Sequence, residues 1–297
     1  MGGEFLVGTF RYPTAMMRDE TDNWRVVEAA TGRGLRWRDL AGRVAQARAI
    51  FVGEQHDDPE THKLEARLFA EVHKKVGPKL ALAMEMIERD GQPGLDDYLS
   101  GKIDEATFGK TVTLWKTYAT DYRAMVEYAK ANRLAVFGSN APNKFVRIVG
   151  KEGLAGLERL TPTERPLIAA AITAPIGDAY QTKFYATMTG MGASHGPAMS
   201  EATLRRIYEA QCLRDDTMAE TIVQALEKGH TVYHVNGSFH SDGGMGTAAR
   251  TLFKRPLGTR LAIVKAIAVP DVHAANPAEF KAEADWLVFV PAPPGKT

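Results

Sequence analysis

The sequence predicts a single α/β domain over 1–297: a mostly parallel sheet flanked by helices, with a helical insertion before a long late helix. Three observations carry this. Apolar runs recur along the chain, each followed by a helix-period pattern, the order that builds parallel strands through right-handed crossovers. The runs are continuous rather than alternating, as strands buried on both faces require. The composition is globular, with 44% hydrophobic and 25% charged residues among 297.

In chain order, Trp24 to Glu28, Thr31-Gly32-Arg33-Gly34 and Leu35-Arg36-Trp37 read as a small hairpin. A short helix is expected from Asp39 to Ala47. Ala49 to Gly53 is the first buried strand. Asp58-Pro59 then reads as an N-cap with proline at the first helical position, and Leu64, Leu68, Val72 and Val76 give that helix its buried stripe. Leu80 to Met86 is the second strand, and helical segments fill Asp96 to about Asn132. Leu134 to Gly138 is the third strand, and Pro142 opens a helix to about Val149. Lys151 to Ser200 breaks the rhythm with Gly, Pro, Met and Tyr, and reads as an inserted helical hairpin and mobile lid. A long helix, Glu201 to Lys228, precedes the fourth strand, Thr231 to Val235. Leu261 to Val264 and Trp286 to Val290 are late strands.

Thirty-seven basic residues balance thirty-six acidic ones, and no long basic run appears. Nucleic acid is disfavoured as a partner, since phosphate binding needs clustered positive charge. The one cysteine, Cys212, forms no intrachain disulfide and reads as helix packing. No stretch is apolar enough to span a bilayer. Met1-Gly2-Gly3 shows no signal-peptide features and no lipidatable cysteine. The expected location is cytoplasmic, or periplasmic or outer-membrane-associated if an export signal has been removed.

In parallel sheets, ligands bind beyond the carboxyl ends of the strands. Here four strands end in Gly53-Glu54-Gln55-His56-Asp57-Asp58, Glu85-Met86-Ile87-Glu88-Arg89, Ser139-Asn140-Ala141-Pro142 and Asn236-Gly237-Ser238-Phe239-His240. Two of these share a Gly-x-x-His spacing, in which glycine is expected to turn the chain so that the histidine points back over the strand end. On the long helix, Leu204, Tyr208, Gln211, Asp215, Met218 and Ile222 share a face, so two polar groups interrupt an apolar stripe. They either line the same crevice or form a structural pair, for instance with Arg214. His62 and His73 are expected at the surface, His230 in a turn and His234 in the core. Met188, Met191 and Met199 could touch a soft or aromatic ligand. Tyr180, Tyr185 and His195 lie in the insertion, where no core pattern demands them. No phosphate-binding glycine loop, Cys-x-x-Cys or Gly-x-Ser-x-Gly elbow is present.

Phe51 to Asp57, Met84 to Asp90, Ser139 to Pro142, Tyr208 to Gln211, Asp216 to Ala219 and Gly237 to His240 stand in the order and spacing of the ChaN-type haem-binding lipoproteins, which the chain resembles over about 25–270. That family belongs to a broader group with the TraB and Tiki proteins and the erythromycin esterases. The group is marked by two Gly-x-x-His motifs, a glutamate and an arginine, which map onto Gly53/His56, Gly237/His240, Glu85 and Arg214. The resemblance implies haem binding in bacterial iron uptake, often as a cofacial pair in a homodimer, with a tyrosine on the iron. Tyr180 and Tyr185 are the candidates by location, and His195 could ligate iron or support a phenolate. His56, Asn140, Gln211 and His240 would complete the haem site. The alternative is a hydrolase in which His56 or His240 acts as general base, Glu54 or Glu85 orients it, and Arg214 assists. Glu54, His56, Glu85 and His240 are also a reasonable ligand set for zinc or manganese. A relic without activity is the third reading.

Overall fold

The computed structural model describes residues 23–195, 199–254 and 258–293, with backbone alone for 191–195. Met1-Gly2-Gly3 and the side chains of Met191 and His195 lie outside the described residues. The strands are β1 (Arg25–Glu28), β2 (Gly34–Leu35), β3 (Ala49–Glu54), β4 (Leu80–Glu88), β5 (Ala135–Asn140), β6 (Thr231–Gly237), β7 (Leu261–Val269) and β8 (Trp286–Pro291). They form one eight-stranded sheet in the order β2-β1-β8-β7-β3-β6-β4-β5. The pairings from β8 across to β5 are parallel, and the β1–β2 hairpin adds antiparallel to β8.

The strand period splits the core in two. Ile50, Val52, Leu82, Met84, Tyr233, Val235 and Val264 face one side and pack on α1 (Trp37–Val44), α2 (Pro59–Val76) and the run α3 (Gln92–Leu99), α4 (Glu105–Thr111), α5 (Tyr118–Asp121) and α6 (Arg123–Ala131). Ala49, Phe51, Ala83, Val232 and Ile263 face the other side, against Ile222, Ala225 and Leu226. Those three belong to α9 (Glu201–Glu227), which also packs on α7 (Asn143–Glu152) through Leu213 and Phe145. The helix α8 (Ala179–His195) lies on α9 through Tyr180, Phe184 and Tyr208.

Local chemistry places the helix ends. Asp58 caps α2 by accepting from the Glu60 N–H at 3.0 Å, with Pro59 beside it. Ser200 caps α9 by accepting from the Thr203 N–H at 3.2 Å. Several expectations need correction. The first helix starts at Trp37 and ends at Val44, and β4 runs two residues past Met86. A helix not anticipated, α10 (Gly246–Lys254), follows β6 after two short 3-10 turns. Its glycine-rich approach gives no periodic signal. Between Lys151 and Ser200 the described residues hold 3-10 turns and α8, and no strand. His62 is not a surface residue: it is 4% exposed, because α2 turns this face onto the end of β3. His73 is half-buried, with Nδ1 2.9 Å from the Tyr128 hydroxyl. His234 is core, its Nδ1 3.2 Å from the Ala83 carbonyl.

Candidate functional site

β6 lies between β3 and β4, with β5 beyond, so the carboxyl ends of these four strands are neighbours. β4 pairs with β6 only as far as Met84 opposite Val235, and its register with β5 shifts after Met84. Leaving the ladder frees the Gly237 N–H, which donates to Glu85 Oε2 at 2.8 Å.

The two Gly-x-x-His motifs fit each other. Neither glycine has a positive φ, so the expected sharp glycine turn is not their role. A Cβ on Gly237 would stand 2.7 Å from His56 Nε2, and one on Gly53 would stand 3.0 Å from the Ser238 Cα and 3.1 Å from Ser241 Oγ. Each glycine makes room for the other motif.

Each histidine is held by a buried carboxylate. His56 Nδ1 is 2.6 Å from Glu54 Oε1, and the His56 side chain is 42% exposed against the Trp115 ring. His240 is buried, with Nδ1 2.7 Å from Asp215 Oδ1 and Nε2 3.4 Å from Glu85 Oε1. Burial disfavours the His240 cation, but Glu85 and Asp215 outweigh it and hold its pKa up at about 10. Burial likewise opposes ionisation of Glu85, yet His240 and His56 keep it well below the usual carboxylate range. Burial would lower His56, and the bond to Glu54 with the Glu85 charge raises it. The crevice thus presents a buried imidazolium, two ionised carboxylates and a half-exposed imidazole.

Asp215 joins the α9 face to this edge. It accepts from the Tyr180 hydroxyl at 2.7 Å and the Thr247 hydroxyl at 2.8 Å. The Gln211 amide lies 3.3 Å from both the Tyr180 hydroxyl and His240 Nδ1. Burial and Asp215 push the Tyr180 phenol well above its ordinary value, so it stays a donor. Burial also pushes the Cys212 thiol up, to about 12. The structure brings Glu54, His56, Glu85, Gln211, Tyr180 and His240 together. Asn140 reaches the same edge at the end of β5, where its Oδ1 accepts from the Ala141 N–H at 2.9 Å. The charge of Arg214 acts on Glu88, whose carboxyl burial raises above its ordinary value against that pull. Tyr185 is half-buried among Tyr208, Met188 and their neighbours, with the Gln181 amide 3.3 Å from its hydroxyl.

The family is decided by the match of residues 40–251 to the haem-binding uptake proteins of the Tiki superfamily, ChaN. The chain belongs to the ChaN family. Its fold is that of a solved structure described as cofacial haem binding to ChaN of Campylobacter jejuni, with TM-score 0.69 and 14% identity over 89% of this chain and 96% of that one. An erythromycin esterase mutant in its open conformation shares the fold more loosely, with TM-score 0.51 and 10% identity over 91% of this chain and 97% of that one. RETICULATA-RELATED 5, a chloroplastic protein of Arabidopsis thaliana, is 24% identical over 75% of this chain. The chain spans only 31% of that protein's length.

Within this ChaN chain, two site features escaped the sequence reading. Arg250, from α10, stands 3.8 Å from Asp215 Oδ2 and 3.3 Å from Asp216 Oδ2, with Lys254 3.3 Å from Asp216 Oδ1. His62 stands 2.8 Å from Glu54 Oε2. The His62 signal was present in outline: it shares a helical face with Phe69, seven residues on, rather than with the Leu64 stripe. Arg250 carried no signal, because the helix that holds it carried none. Among the described residues, no helix is long and apolar enough to cross a membrane.

Proposed function

We propose that this chain binds haem at the carboxyl edge of its sheet, beside His240 and beneath α8. Beyond family membership, the observation that carries this is an aromatic and thioether face at that edge. Tyr180, Phe184 and Tyr208 are buried there, with Tyr185, Met188, Ile207, Phe239 and Met245 partly exposed around them. A porphyrin is a large apolar disc and needs such a wall, with a few polar groups to orient it. Lys183, 5.2 Å from the Phe239 ring centroid and 3.5 Å from Asp242 Oδ2, is a cation at this wall for a propionate. The haem would supply an iron, which a phenol or imidazole of this chain would hold. Tyr185 is the phenol best suited to that position, because the Tyr180 hydroxyl is committed to Asp215. A second copy of the chain would cover the porphyrin face that this wall does not contact. The Campylobacter neighbour, described as binding haem cofacially, supports a paired arrangement. A role in bacterial iron uptake, outside the cytoplasm, is the reading that goes with it.

The test is a haemin titration followed by absorption spectroscopy and sedimentation. The wild type should give a shifted Soret band and assemble as a dimer with one haem per chain. Tyr185→Phe should lose the phenolate charge-transfer band, and Tyr180→Phe should keep it. A wild type that leaves the haemin spectrum unchanged would sink the proposal.

The paired histidines favour a second reading, hydrolysis of an ester or peptide. His56, oriented by Glu54 at 2.6 Å and 42% exposed, is placed as the general base on water. His240, protonated between Glu85 and Asp215, is placed to steady developing negative charge. This reading requires turnover by haem-free protein that disappears in His56→Ala.

A further inference from the structure

Behind His56 lies a second set of polar side chains, of which the hydrolase reading uses only Glu54. Glu54 at the end of β3, with His62 and Glu65 on successive turns of α2, offer three ligand atoms within 4.8 Å of one another. All three are buried, at 2%, 4% and 0% exposure. His62 Nδ1 stands 2.8 Å from Glu54 Oε2 and 3.4 Å from Glu65 Oε2. One ring nitrogen carries at most one proton and cannot serve two carboxyl groups at once. Glu65 Oε1 is buried with no hydrogen-bond partner, and Glu54 Oε2 must share the one His62 nitrogen with Glu65 Oε2. Buried carboxyl oxygens without a donor are costly, and a cation between them would remove that cost.

We propose that Glu54, His62 and Glu65 bind one first-row divalent cation, zinc or manganese, behind His56. Ligand bonds of about 2.0–2.2 Å place tetrahedral ligand atoms roughly 3.4 Å apart, and the three ligand atoms here already lie within 4.8 Å of one another. One imidazole with two carboxylates is a donor set that both ions accept, and it neutralises the charge.

The surroundings match those of a metal-bound imidazole, whose second nitrogen donates to a carboxylate or a backbone carbonyl. His62 Nε2 is 3.3 Å from the His56 carbonyl and 3.5 Å from Asp121 Oδ2. Glu54 is held too, because its Oε1 accepts from the Tyr122 hydroxyl at 2.8 Å and lies 2.6 Å from His56 Nδ1. An ion here would fix Glu54 and, through it, the ring of His56. It would be a structural ion, separate from the Glu85 and His240 pair.

The experiment strips the full chain with a chelator and titrates it with cobalt(II), whose visible absorption reports its ligands. One equivalent should bind. Glu65→Gln and His62→Gln should each weaken binding by more than about 100-fold, and Asp121→Asn, outside the ligand set, by about 10–100-fold. Glu85→Gln and His240→Gln should leave the cobalt spectrum unchanged. Circular dichroism checks that each variant is folded, and Asp121→Asn still reads the site if a ligand variant does not fold. Absence of a cobalt band in the wild type overturns the proposal and leaves the three groups sharing protons. A band that survives His62→Gln and Glu65→Gln but falls with Glu85→Gln overturns it as well, by moving the ion to the strand-end histidines.

Discussion

A Cβ on Gly237 would meet the tip of a half-exposed side chain, whereas one on Gly53 would meet the Ser238 backbone. Crowding against backbone is the more expensive of the two, since backbone cannot swing aside. Gly53→Ala should therefore lower stability to urea by about 1–3 kcal/mol. Gly237→Ala should cost less but displace His56, shifting its ring resonances in a histidine NMR spectrum. If Gly237→Ala proves the more destabilising, or leaves the His56 signals in place, the reciprocal fit of the two motifs is wrong. The spacing of these glycines was legible in the sequence, but their reason was not. A turn needs only local geometry, whereas close approach depends on which strand lies alongside.

At the scale of elements, α9 and α10 form the polar seam. Asp215 and Asp216, buried on one helix, meet Thr247, Arg250 and Lys254 on the other. Arg250 carries the charge balance. Removing one partner of a buried ion pair strands the other, at a typical cost of about 3–5 kcal/mol. Arg250→Ala should fall in that range by urea denaturation and loosen the His240–Asp215 contact. Arg214→Ala, which leaves both aspartates paired, should cost far less, and equal costs would contradict this assignment. The interruption of the α9 stripe by Gln211 and Asp215 could be seen in the sequence, because helical periodicity is local. Its partner could not, because α10 starts at Gly246 with φ +54° after a glycine-rich approach.

Across the whole molecule, two buried histidines give stability opposite pH limbs. His240 is raised to about 10, so its contribution is complete below the unfolded histidine value of about 6.5 and is lost as pH rises through 10. His234 is lowered to about 4 by burial, so its contribution is complete above about 6.5 and fades as pH falls toward 4. The lowered carboxyls of Glu85 and Asp215 add to the acid limb. Each such proton contributes a slope of at most about 1.4 kcal/mol per pH unit. The urea midpoint should fall on the alkaline side, and His240→Gln should flatten that limb. An unchanged alkaline limb in the variant would show that His240 is not held protonated. The alternation of strand and helix, the capped start of α2 and the gathering of acids and imidazoles at strand ends all follow from the sequence alone, because periodicity and capping act over a few residues. Strand order acts over the whole chain. Only the tertiary structure places β6 between β3 and β4, so that Gly53 and Gly237 interlock and Glu85 reaches His240. Only packing turns His62 inward and sets Arg250 against Asp215 and Asp216, because burial and pairing depend on neighbours that local periodicity does not name.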